Sequence, residues 1–194
     1  MGSWTFDRWA RVWEMLDDLR LVAQLNRGSK DALRRIYLKY RQDLFTIAVS
    51  LVADSHLAED CLQDVFVRLA ESAGTLSIRT NLRGYLASAI VNRARDCLRR
   101  DRRQVDCPVD DLQLATRQAG PAGELVQSEQ AQQLVEAMGQ LPVEQREVFV
   151  LHVQGRMTFR QIARLQGVSI RTVHSRYRYA IEKLRQSLPE EDRR

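Results

Sequence analysis

From Leu33 onward the apolar residues fall at positions 33, 36, 37, 40, 44, 47, 48 and 51, with polar residues between them. Steps of three and four place them in one stripe along an α-helix, so the pattern predicts a long amphipathic helix over about 29–53. Asp54 or Ser55 is suited to cap a second helix, in which Leu57, Ala58, Cys61, Leu62, Val65, Phe66 and Leu69 repeat the period and Ala73-Gly74-Thr75 marks the end. Asn81 is placed to cap a third helix carrying Leu82, Tyr85, Leu86, Ala89, Ile90, Ala94, Cys97 and Leu98 on one face. Across 104–127 the period is lost and Pro108, Gly120, Pro121 and Gly123 appear, the composition of a linker. Helical patterning returns near Ser128, breaks at Leu141-Pro142, and continues as three short helices over about 143–153, 158–166 and 170–187. No stretch alternates as a strand would. The chain is expected to be all-α, with two small helical domains joined by a flexible linker.

The last two of these helices form the most specific local motif. Thr158-Phe159-Arg160-Gln161 has the form of a capping box, Ile162, Ala163 and Leu165 face inward, and Gly167 stands where a tight turn needs positive φ. Val168 fills the angle, and Ser169 caps a longer helix whose inner stripe is Val173, Tyr177, Ala180, Ile181 and Leu184. That arrangement leaves Arg171, Thr172, His174, Ser175 and Arg178 outward, with Arg176 on the border, as in a recognition helix entering the major groove. The alternative is an ordinary helical hairpin with a solvated basic face.

Charge sharpens the picture. The 194 residues carry a formal net charge of +5 and have a pI near 9.4, but the charge is gathered in blocks. Residues 79–103 hold eight Arg against Asp96 and Asp101, and 156–185 hold seven Arg and one Lys against Glu182, while 104–133 carry an excess of acidic residues. Six of the arginines, Arg93, Arg95, Arg99, Arg100, Arg102 and Arg103, lie at the end of the third helix. Some suit a helix C-terminus electrostatically, yet that number also fits contact with a phosphate backbone. Cys61, Cys97 and Cys107 form no CxxC pair, which argues against a disulfide framework or a zinc cluster and fits a reducing cytoplasm. No apolar run approaches a membrane span and no secretion leader is apparent, so membrane insertion is not expected. His56, His152 and His174 are scattered, and neither a phosphate-binding glycine loop nor a metal-ligand set is present. Enzyme chemistry, a cofactor and a metal are therefore not expected, and His152 reads as a helix-surface residue.

Taken in order, these segments resemble the extracytoplasmic-function (ECF) class of sigma-70-type sigma factors, from about Leu21 to Leu188. Leu21-Val22-Ala23 through Tyr40 is similar to the opening of the family's sigma-two domain, and Ala58-Glu59-Asp60-Cys61-Leu62-Gln63-Asp64-Val65-Phe66 to its most recognisable stretch. Leu82-Arg83-Gly84-Tyr85-Leu86 through Asn92, Asp96 and Arg99-Arg100 resembles the part that opens and reads the −10 promoter element. Leu141-Pro142, Arg146, Val148-Phe149 and Ile162-Ala163 through Arg176 resemble the sigma-four domain, which reads the −35 element.

The resemblance implies a sigma-two domain at 21–103, an acidic linker at 104–127 and a sigma-four domain at 128–188, which leaves an aromatic-rich extension at 1–20 that the family pattern does not require and a short tail at 189–194. It implies core polymerase contact through Asp60, Gln63, Asp64 and Arg68, whose spacing permits one shared helix face. It further implies −10 contact through Asn92, Arg93, Asp96, Arg99, Arg100 and Arg103, and −35 contact through Arg171, Thr172, His174, Ser175, Arg176 and Arg178. The third helix and the loop before it, 73–80, would capture an unstacked base. Core RNA polymerase, promoter DNA and an anti-sigma factor are the implied partners, and transcription of a stress or envelope regulon the implied role. The length implies the small two-domain class, without a further regulatory domain. Arg171 stands where the family often has Gly, His174 and Tyr179 where Lys and a later Arg are common, and Tyr85 where Trp is frequent, so base preferences do not carry over. An autonomous helix-turn-helix regulator remains the alternative, although it leaves the Asp60 ridge and the first basic helix without a role. The segment with Trp4, Phe6, Trp9, Val12, Trp13 and Leu16 is expected to extend the first helix and pack on the domain, the other possibility being a docking surface for a regulator. The 24 residues of the linker reach at most about 80 Å and average roughly 25–30 Å as a coil.

Overall fold

The computed structural model describes the backbone of 3–78, 81–104 and 136–187, and the side chains of 12–78, 81–100 and 136–187. Its helices are α1 (Ser3–Asn26), α2 (Lys30–Val52), α3 (Ser55–Glu71), α4 (Leu82–Gln104), α5 (Val143–Val153), α6 (Phe159–Gln166) and α7 (Ile170–Ser187), with 136–139 also helical. The described residues contain no strand. The expected linker at 104–127 lies almost wholly outside the described residues, as do the side chain of Arg103 and the tail.

Local chemistry sets the boundaries. Ser29 caps α2 by accepting from the Ala32 amide, and Asp54 caps α3 by accepting from Leu57. Asn81 accepts from the Gly84 amide at the start of α4. Thr158 and Gln161 complete the reciprocal capping box of α6, and Gly167, at φ 66°, turns the chain toward α7.

Around α2, the central helix of the first group, pack α1, α3 and α4. Ile36, Tyr40, Leu44, Ile47 and Ala48 of α2 meet Leu62 and Leu69 of α3 and Leu82, Leu86 and Ile90 of α4 in one buried cluster. Tyr40 is fully buried and gives its hydroxyl proton to Asp18, itself only 5% exposed, while Lys39 closes the charge at 2.7 Å. Burial and the Asp18 carboxylate push the Tyr40 hydroxyl well above its usual range. Asp18 therefore anchors the C-terminal half of α1.

Of the aromatic-rich segment, the side chains of Trp4, Phe6 and Trp9 lie outside the described residues and Val12 is half-buried, while Trp13 and Leu16 depart from the expected packing. Trp13 is 63% exposed, and Met15, Leu16 and Leu19 are also exposed, so this stretch continues the helix without burying those side chains. Steps of three and four place Trp13, Leu16 and Leu19 away from the buried Asp18, Leu21, Val22 and Leu25. Tyr85 likewise lies outside the core stripe in which the sequence pattern puts it.

In α5, six consecutive residues from Arg146 to Leu151 are buried. A helix buried all round must be enclosed, and α5 is: α6 and α7 cover it on one side, α2 and α4 on the other. The two helical groups are thus packed together, where the sequence suggests two bodies on a tether. Arg146 lies in the seam, donating to the Ser50 and Leu51 carbonyls at the end of α2 and to the Gly139 and Leu141 carbonyls ahead of α5. Burial lowers its pKa, and the neighbouring Glu147 opposes that shift.

Replacing Arg146 with Met removes the donor that four carbonyls share in a largely buried seam. Urea denaturation is expected to show a loss of about 3 kcal/mol or more. The Arg35→Ala change removes only an exposed 3.6 Å pair with Asp17, and Trp13→Ala removes an exposed ring. Each should alter stability by no more than about 0.5 kcal/mol.

Candidate nucleic-acid interface

The α6–α7 turn presents the N-terminal half of α7 as the sequence pattern predicts. Ser169 accepts from the Thr172 amide and bonds its hydroxyl, which caps α7 and turns Thr172 back toward the helix end. Val173, Ala180 and Leu184 are buried, while Arg171, His174 and Arg178 are exposed. Arg178 lies over the Tyr179 ring, and His174 rests against Phe159 at 4.3 Å. Ser175 is half-buried. Arg176, on the border of that face, turns inward: its guanidinium donates to the Gln166 side chain at 3.1 Å and so points into the motif.

His152 is not a solvated surface residue either. Its ring stacks on Phe159 at 4.3 Å and meets Tyr177 edge-on, and its Nδ1 shares a hydrogen bond with the Met157 carbonyl oxygen. Phe159 thereby joins α5, α6 and α7 through rings. Spacing alone does not reveal such a cluster, because the three rings come from three helices.

On α4, Asn92, Arg99 and Arg100 are exposed and Asp96 is half-buried. Arg93 is largely covered, with a 14% exposed side chain, and its Nε pairs with Asp64 of α3 at 2.5 Å. One ion pair therefore joins a residue of the expected polymerase set to one of the expected −10 set. Asp60, Gln63 and Arg68 are exposed along the same α3 ridge. Between α3, the 76–78 segment and α4 lies a cavity of about 490 Å³, lined by Val65, Arg68, Ile78, Tyr85, Asn92 and Arg93 among others. Its walls combine apolar surface, one aromatic ring, an amide and two guanidinium groups, the set needed to stack a planar base and bond its edge.

Sequence reasoning missed what faces this side of α4. Arg95 forms a two-pronged ion pair with Glu147 of α5, whose carboxylate is 3% exposed. Gln166 of α6 donates to the same carboxylate at 3.0 Å and accepts from Arg176. The hydrogen bonds to Glu147 raise the Arg95 pKa against the cost of its partial burial. A carboxylate directly before the apolar run Val148-Phe149-Val150-Leu151 was the available signal, since such a position is buried only with a partner.

Among the described residues, no three His, Cys, Asp or Glu side chains gather as a metal site would need, and no helix is long and apolar enough to cross a membrane.

Comparison with known proteins matches both helical groups. Residues 36–104 match the family Sigma-70 region 2, and residues 131–184 match Sigma-70, region 4. The chain is 30% identical over 161 residues to the ECF RNA polymerase sigma factor SigM of Mycobacterium tuberculosis, covering 82% of this chain and 78% of that one. It is 29% identical over 163 residues to the RNA polymerase sigma factor CarQ of Myxococcus xanthus, covering 84% and 92%. The fold is similar to that of the sigma factor RpoE solved in complex with the anti-sigma factor NepR from Bartonella quintana, with a TM-score of 0.63 at 23% identity over 82% of this chain and 97% of that one. With both regions present in order and a relative of this similarity along most of its length, the chain belongs to the ECF class of the sigma-70 family and is an RNA polymerase sigma factor.

Proposed function

We propose that this sigma factor divides its work among three surfaces. The α3 ridge of Asp60, Gln63, Asp64 and Arg68 contacts core polymerase. Asn92, Arg93, Asp96, Arg99, Arg100 and Arg103 serve the −10 element, and the neighbouring 490 Å³ cavity takes one unstacked base. Arg171, Thr172, His174, Ser175 and Arg178 serve the −35 element from the start of α7. Arg176 acts there only after leaving Gln166, so it positions the recognition helix in this structure. The observation that carries this reading is the capped turn at 167–169, which presents exposed arginines in the N-terminal half of a helix while the cavity lined by Tyr85, Asn92 and Arg93 lies against another.

The same reading places the sigma-two domain at 21–103 and the sigma-four domain at 128–188, with the acidic 104–127 segment as a tether through the polymerase cleft. It gives the chain no catalytic chemistry. It also places the chain in the cytoplasm, under an anti-sigma factor, because a similarly folded sigma factor was solved with one. A stress or envelope regulon fits that control.

Asp60→Arg reverses a charge on the exposed ridge without touching a described ion pair. Affinity for core polymerase is expected to fall about tenfold with helicity unchanged, measured by fluorescence anisotropy and circular dichroism. Unaltered affinity removes the ridge from the interface.

For DNA, Arg171→Ala in holoenzyme is expected to cost about 1–3 kcal/mol at the −35 element if the guanidinium reads a base. Replacing Arg99 and Arg100 together should instead reduce −10 protection and open-complex formation. Footprints of both variants on one promoter check the division, which fails if each variant weakens both elements equally.

A further inference from the structure

Cys61 on α3 and Cys97 on α4 take no part in the surfaces assigned above, yet their sulfurs lie 3.6 Å apart, in contact, with both side chains buried. A disulfide bond is about 2.0 Å long, so each sulfur has only about 0.8 Å to travel. The neighbouring pair along the same seam is Asp64 with Arg93. From the cysteines to that pair the chain steps three residues forward on α3 and four back on α4, about one helical turn on each. The two pairs are thus successive rungs of one antiparallel contact.

Further rungs of that contact wall the 490 Å³ cavity. Among its described lining residues, all except Met157 and Leu165 lie between Cys61 and Cys97 in the chain. A bond between the two sulfurs closes one covalent ring around the end of α3, the 76–78 segment and the start of α4. Such a ring keeps Arg93 beside Asp64 and fixes the distance between the cavity walls.

We propose that Cys61 and Cys97 are a reversible thiol–disulfide pair, oxidised by a hydroperoxide, whose bond clamps α3 to α4 and hinders entry of an unstacked base into the cavity. The effect on the base rests on the −10 reading made above, whereas the bond itself does not. Burial raises the Cys61 thiol above its ordinary range and the Arg93 guanidinium opposes that rise, so the resting pair is reduced. Oxidation takes two steps. When α3 and α4 part, one thiolate attacks a peroxide oxygen, the O–O bond breaks, and a sulfenic acid forms as the other oxygen leaves in water. When the helices close, the second sulfur is already in contact: it displaces the sulfenic oxygen, which leaves as a second water, and the S–S bond forms. The pair gives two electrons to the peroxide, and both thiol protons end in water. In a reducing compartment a disulfide of this kind is a sensing device.

The test uses the full chain with Cys107→Ser, which leaves Cys61 and Cys97 as its two thiols. Folded protein is treated with hydrogen peroxide and then catalase, and afterwards unfolded and exposed to a maleimide. The expected product has lost about 2 Da, takes up no maleimide, and regains both thiols in dithiothreitol. Its Tm is expected to lie about 5 °C or more above that of the reduced protein, because the ring restricts the unfolded chain without straining the fold. Cys97→Ala in the same background should not lose this mass. Sulfinic or sulfonic acid in place of the disulfide overturns the pairing, and so does an oxidised form that melts below the reduced one. Oxidised and reduced protein, freed of reagents, are then each added to core polymerase and promoter. The oxidised form is expected to open the promoter at least about threefold more slowly, with −35 protection unchanged. Equal rates overturn the clamp if Asn92→Ala slows opening by the reduced protein. If Asn92→Ala is also without effect, the −10 reading of the cavity fails instead, and the mass and melting results decide the thiol pair by themselves.

Discussion

Four backbone carbonyls, two at the end of α2 and two between Gly139 and Leu141, converge on the guanidinium of Arg146. Helix ends leave carbonyls without partners, and in a buried seam water does not supply them. One cation with a rigid fork of donors meets the need of both groups at once. The position of α5 follows, and with it the placement of α6 and α7, since their shared core is built on the remaining face of α5. Glu147, the next residue along, then has no solvated side to turn to and takes Arg95 and Gln166 instead.

The elements were legible because their signals are local. Ser29, Asp54, Asn81 and the Thr158–Gln161 pair act within three residues of the helix ends they cap, and Gly167 acts at its own φ. The recognition helix was legible for the same reason, its inner and outer stripes being set by the period of one helix. The seam was not. Arg95 and Glu147 are 52 positions apart, and Arg146 and Ser50 are 96 apart, distances over which periodicity carries no information. The sequence pattern groups Arg95 with arginines suited to phosphate, puts Arg176 on the border of the outward face, and has Trp13 pack on the domain. In each case side-chain type was read correctly as charged or apolar, but the neighbour that decides its direction comes from elsewhere in the chain.

The candidate DNA surfaces show the same division. Arg171 and Arg178 are exposed where the pattern puts them, whereas Arg93 and Arg176 are each held by a partner, Asp64 and Gln166. An arginine already engaged must exchange one partner for another on binding, so its contribution to affinity is a difference between two contacts. The engaged pair Asp64–Arg93 also ties the polymerase ridge to the −10 helix. A change at one alters the electrostatics of the other.

Cys61 of α3 and Cys97 of α4 face each other as free thiols, 3.6 Å apart between sulfurs and both buried. Burial pushes the Cys61 thiol up to about 12, and burial of both sulfurs keeps alkylating reagents from reaching them while the helices are closed. Modification must then wait for α3 and α4 to separate. The rate at which iodoacetamide labels these two sulfurs is accordingly a clock for the breathing of the α3–α4 seam, set by its local opening free energy and readable without introducing any probe.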